Sequence, residues 1–126
     1  MKKHLLAALA AAPLAFATGA SAEHWDVIAF EMTGACTLGE YMEIVADTNE
    51  WAAQYGYQAK VAQPLQSDDL ETWFWIGISA DAAAFGAAYN AWRDGLADPR
   101  STPAKLWDRF QKCSTNLSRD GYEVWQ

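Results

Sequence analysis

The chain has 126 residues and is acidic, with sixteen carboxylate side chains against nine basic ones. A surface of that sign repels nucleic acid and anionic membranes, so neither is an expected partner. Seven tryptophans add more large aromatic surface than a small chain can leave in water.

The first residues read as an export signal. Lys2 and Lys3 precede an apolar stretch from Leu5 to Ala17, and Ala20-Ser21-Ala22 offers a small-residue cleavage site. Residues 1–22 are therefore expected to be a secretory signal peptide, with an apolar part too short to span a bilayer. Residues 23–126 then form a single domain, periplasmic or secreted and free of the membrane after cleavage. Loss of Lys2 and Lys3 leaves a formal charge of about −9.

Residues 24–32 are β-branched and aromatic and read as a strand. Thr33 to Cys36 form a turn. Thr37 and Glu40 then make a Thr-x-x-Glu capping box for a helix over 38–55, with Gly56 beyond its end. Residues 57–65 read as a second strand and Asp68, Asp69 and Glu71 as turn chemistry. Residues 71–79, with Trp73, Phe74, Trp75, Ile76 and Ile78, carry the strongest strand signal in the chain. Ser79 or Asp81 caps a second helix over 82–94, whose Ala84, Gly86, Ala87 and Ala88 suit close packing on a sheet. Thr102 and Pro103 open a third helix running to Cys113, and residues 121–126 read as a terminal strand.

The order β-α-β-β-α-(α)-β is the α+β, ferredoxin-like split βαβ arrangement with one added helix, implying a four-stranded antiparallel sheet. An even cysteine count in an exported chain reads as a disulfide, here Cys36 to Cys113. In this topology the end of strand one and the start of strand four share one end of the sheet, so the two cysteines can meet. There is no Cys-x-x-Cys spacing to suggest a redox pair or a thiolate metal site.

Few residues could carry chemistry. His24 is the single histidine after the signal and reads as a solvated residue near a terminus, so neither a metal site nor a bound cofactor is expected. Polar candidates beside an aromatic wall are Asp26, Glu31, Asn49 and Tyr89. Alternation places Trp73, Trp75 and Gly77 on one face of the third strand and Phe74, Ile76 and Ile78 on the other. In the first strand it separates Ile28, Phe30 and Met32 from Trp25, Val27 and Ala29. Both faces of the sheet are thus apolar, and helices 38–55 and 82–94 can cover only one. Trp25, Val27, Ala29, Trp73, Trp75 and Trp125 are expected to form the second face, covered by another copy of the chain or lining a ligand site. Helix 101–113 is the alternative cover.

A split βαβ chain apolar on both sheet faces resembles the dimeric α+β-barrel superfamily, which includes EthD-like, NIPSNAP-like and antibiotic-biosynthesis-monooxygenase-like proteins. Gly34-Ala35-Cys36-Thr37-Leu38, Asn90-Ala91-Trp92 and Cys113-Ser114-Thr115-Asn116 also resemble stretches of uncharacterised exported bacterial proteins. The resemblance implies a homodimer in which two sheets pack face to face. The function expected is that of an exported, non-enzymatic dimeric protein able to bind a small apolar or aromatic ligand. The alternative it implies is a cofactor-independent oxygenase or isomerase.

Overall fold

The computed structural model describes residues 21–126, so the expected signal peptide lies almost wholly outside the described residues. Four strands and three helices follow one another: β1 (Ala22–Met32), α1 (Leu38–Ala52), β2 (Gln58–Ala62), β3 (Thr72–Ser79), α2 (Ala82–Gly95), α3 (Thr102–Cys113) and β4 (Ser114–Trp125). The sheet order is β2-β3-β1-β4 with every pair antiparallel, which is the expected ferredoxin-like arrangement.

Local chemistry explains the helix boundaries. Thr37 accepts from the Glu40 backbone N–H while the Glu40 carboxylate accepts from the Thr37 N–H, completing the capping box. A 3₁₀ turn over Ala53–Tyr55 follows α1, and Gly56 ends it at a positive φ of 67°, a conformation that costs a residue without Cβ little. Asp81 is the cap of α2. Ser101, rather than Thr102, caps α3, with Pro103 in its first turn.

The strand boundaries depart most from the sequence reading at the end of β2 and the start of β4. β2 stops at Ala62, two residues before Pro64. β4 begins at Ser114, directly after α3, instead of at Gly121. Its first half, Ser114-Thr115-Asn116-Leu117-Ser118-Arg119-Asp120, has little intrinsic strand preference. Pairing along the whole length of β1 supplies the order that propensity does not.

All three helices lie on one side of the sheet. Tyr41, Ile44 and Val45 of α1 and Leu106 and Phe110 of α3 pack with Phe30, Ala59 and Trp75 of the strands as the buried core. The third helix therefore joins the first two, and no described helix covers the other sheet face. Cys36 and Cys113 are bonded, with Cα atoms 5.1 Å apart, tying the turn after β1 to the junction of α3 and β4. Thr33 strengthens the same corner: its backbone N–H donates to Cys113 O at 2.9 Å and its hydroxyl to Lys112 O at 2.6 Å.

Candidate functional site: an aromatic cavity under α2

Register decides which residues share a face. Phe30 lies opposite Trp73, Ile28 opposite Trp75 and Asp26 opposite Gly77, so these six point toward the helices. Trp25 lies opposite Ile78, Val27 opposite Ile76 and Ala29 opposite Phe74, and these six form the open face. The six residues expected to make one face are therefore divided. Trp25, Val27 and Ala29 are on the open side. Trp73 packs against the core and Trp75 is 7% exposed beneath the helices. Trp125 pairs with Ala22 at the sheet's end, on the helix-side parity, and is 65% exposed. Alternation within each strand was read correctly, but β1 and β3 pair odd residues with even ones, and no single strand encodes that phase.

Between the sheet and the helices lies a cavity of about 260 Å³. α2 forms one side of it. The slender Ala-Gly face was expected to bring this helix close to the sheet, yet Ala88 is its one buried residue. Ala88 lines the cavity beside Phe85, Tyr89, Trp92 and Arg93 of the same helix. Trp75, Tyr41, Phe110 and Thr48 form the buried wall, with Phe110 edge-on to Trp75 at 5.4 Å and to Tyr41 at 5.7 Å. Tyr89, Arg93, Asn116 and Arg119 stand at the exposed rim.

A polar network runs along one side. Asp26 is 2% exposed, and a buried carboxylate needs donors. Arg119 supplies two, Nε to Oδ1 at 2.7 Å and Nη2 to Oδ2 at 2.8 Å. The Tyr57 hydroxyl donates to Oδ2 at 3.1 Å and accepts from Trp75 Nε1 at 2.7 Å. Gly77 makes this possible, since a Cβ there would collide with the Tyr57 ring and hydroxyl. Burial, helped by the Asp26 charge, pushes the Tyr57 hydroxyl well above the usual tyrosine range, so it stays protonated. Burial likewise pushes Tyr41 up to about 12. The Arg119 guanidinium also lies 4.8 Å from the Tyr89 ring centroid and 5.9 Å from that of Phe85.

The other sequence candidates fall elsewhere. Asn49 caps the exposed edge of β2, exchanging hydrogen bonds with the backbone of Ala59. Glu31 pairs opposite Thr72 on the open-face parity. Asp69 closes its turn by accepting from the backbone of Glu71 and Thr72. His24 corrects the expectation of a solvated side chain. It stacks on Phe85 at 4.4 Å, and its Nε2 is buried without a partner among the described residues. Arg119, Tyr57 and Asn116 went unnamed in the sequence. The one available signal was Asp26, a carboxylate inside an apolar strand that must have a donor somewhere.

Fold and site together define a ferredoxin-like α+β protein with an aromatic cavity between sheet and helices. No family model and no curated protein matches the sequence. Among solved structures, the chain is similar to SnoaB, a cofactor-independent oxygenase from Streptomyces nogalater. The TM-score is 0.55 at 19% identity, over 84% of this chain and 96% of that one. It is also similar to a conserved protein of unknown function from Bacteroides thetaiotaomicron, with a TM-score of 0.50 at 8% identity, over 82% and 98% of the two chains. At these identities the likeness shows the fold. The ferredoxin-like fold that the resemblance implied is thus borne out.

Proposed function

We propose that this is an exported protein, cleaved after Ala22, that pairs with a second copy through its open sheet face and binds a small aromatic or apolar molecule under α2. The cavity carries this reading: its buried wall is aromatic, while fixed polar groups stand at its rim, the usual composition of a small-molecule site. The open face supports pairing, because Trp25, Val27, Phe74, Ile76 and Ile78 lie side by side there with no helix over them. The disulfide suits an oxidising compartment, and among the described residues no helix is long and apolar enough to cross a membrane.

A second reading, a cofactor-independent oxygenase or isomerase, takes its support from the likeness in fold to SnoaB. Such chemistry needs a group that removes a substrate proton. Asp26 already accepts from three donors, Tyr57 is held protonated, and the described residues lining the cavity include no Asp, Glu, His or Lys. Binding is therefore the primary reading. Native mass spectrometry of protein recovered from the periplasm tests it: a dimer of chains starting at Glu23, carrying a small molecule released on denaturation, is the expected result. A ligand-free monomer that takes up no aromatic compound would overturn it. Oxygen uptake on adding electron-rich phenols would move the assignment to the second reading.

A further inference from the structure

The charged side chains that line the cavity are all of one sign. Carboxylates outnumber basic side chains sixteen to nine overall, yet the charged residues lining the cavity are Arg93 and Arg119. Each is paired with a carboxylate outside the lining, Arg119 with Asp26 and Arg93 with Asp94, so the rim offers an anion oriented hydrogen-bond donors rather than net charge.

A backbone irregularity builds this rim. Asn116 and Arg119 are three residues apart in β4, so regular alternation would send them to opposite faces. The register shifts between Ala29, opposite Ser118, and Phe30, opposite Asn116, leaving Leu117 as an extra residue. That bulge turns Asn116 to the helix side, where Arg119 already lies opposite Ile28, and both line the cavity.

The donors left at the rim are specific. Asp26 engages Nε and Nη2 of Arg119, which fixes the guanidinium and leaves Nη1 without a partner among the described residues. Tyr89 flanks the guanidinium. The Asn116 side chain likewise makes no hydrogen bond among them, and its amide can donate beside Arg119. Among the described residues Arg93 engages only its exposed neighbour Asp94.

We propose that the cavity selects an organic anion, with a flat apolar body against Trp75 and Phe110 and a carboxylate received at the rim by Asn116 and Arg119, with the guanidinium of Arg93 available at the same mouth. This rests on the binding function proposed above and adds the ligand's charge and orientation. Hydrogen bonds from a guanidinium to a carboxylate are stronger than those to a neutral amide oxygen, which makes the charge of the ligand the readout.

Calorimetric titration of the full disulfide-bonded chain with naphthoate and with naphthamide, matched in shape and different in charge, tests it. Naphthoate is expected to bind about tenfold tighter or more. Asn116→Ala and Arg93→Gln, neither of which strands a buried charge, should each weaken naphthoate severalfold and naphthamide by less. Added salt should weaken naphthoate alone. Equal binding of both probes, unmoved by the two variants, would overturn the anion preference while leaving the binding cavity in place. Failure of both probes to bind would overturn the cavity reading and this inference with it.

Discussion

The two faces of the sheet carry similar apolar side chains and meet different fates. Phe30 and Phe74 sit on neighbouring strands, one residue out of step in the pairing. Phe30 is 1% exposed under α1, whereas Phe74 is 40% exposed on the open face. The helix side adds polar structure to its apolar core: Asp26, Tyr57 and Trp75 form a hydrogen-bonded chain that ends on Arg119. The open side has rows of hydrophobic residues, Trp25, Val27 and Ala29 against Ile78, Ile76 and Phe74. One face is covered within a single chain, and the other lies open among the described residues.

Mutating these two phenylalanines gives the largest separation. Phe30→Ala is expected to lower unfolding free energy by about 3–5 kcal/mol, from lost burial and the cavity left behind. Phe74→Ala should cost about 1 kcal/mol or less in dilute protein, with a larger loss at concentrations where a dimer forms. Urea denaturation at two protein concentrations measures both, and equal losses would erase the distinction between the faces.

Arg119→Ala leaves the Asp26 carboxylate buried with Tyr57 as its remaining side-chain donor. Because the Arg119 side chain is 43% exposed and water can partly replace it, a loss of about 2–3 kcal/mol is expected, below that of a fully buried pair. A double-mutant cycle with Asp26→Asn should recover part of it. Opening the Cys36–Cys113 bond by Cys36→Ala should cost roughly 2–4 kcal/mol, measured as the difference in urea midpoint between the variant and the unreduced protein.

The helix side should also respond to alkali. Tyr41 and Tyr57 have folded-state pKa values above the ordinary value of about 10, so their neutral forms stabilise the fold fully below that pH. The unfolded chain releases these protons first. Stability should fall from about pH 10 upward, continuing through about 12 for Tyr41. Tyr41→Phe should flatten part of the decline, and an unchanged slope would show that Tyr41 is not held neutral by burial. The smallest effect concerns neither face: Thr37→Ala, which removes one half of the capping box, should cost about 1 kcal/mol in thermal unfolding.

Element type and order were legible in the sequence because each rests on local rules. The Thr37–Glu40 box, Gly56 and Pro103 mark helix boundaries through contacts within one turn. Period-two alternation marks β1 and β3. The disulfide was legible as well, since the topology brings the two cysteine-bearing segments to one end of the sheet. The first half of β4 was not, because its polar residues become a strand only when β1 lies beside them.

The site itself depended on what no local rule contains. The pairing phase of β1 and β3 put Trp73 and Trp75 under the helices and Phe74, Ile76 and Ile78 on the open face, since a shift of one residue exchanges every side chain between faces. The bulge at Leu117 placed Asn116 and Arg119 side by side at the cavity rim. Arg119 and Asp26 are 93 residues apart, and Tyr57 and Asp26 are 31 apart. The sequence alone marked Asp26 as a polar candidate in an apolar strand, where burial would require hydrogen-bond partners. Only the tertiary structure decided which they are, because hydrogen bonding at that distance follows from strand register, a property of two chain segments together and of neither alone.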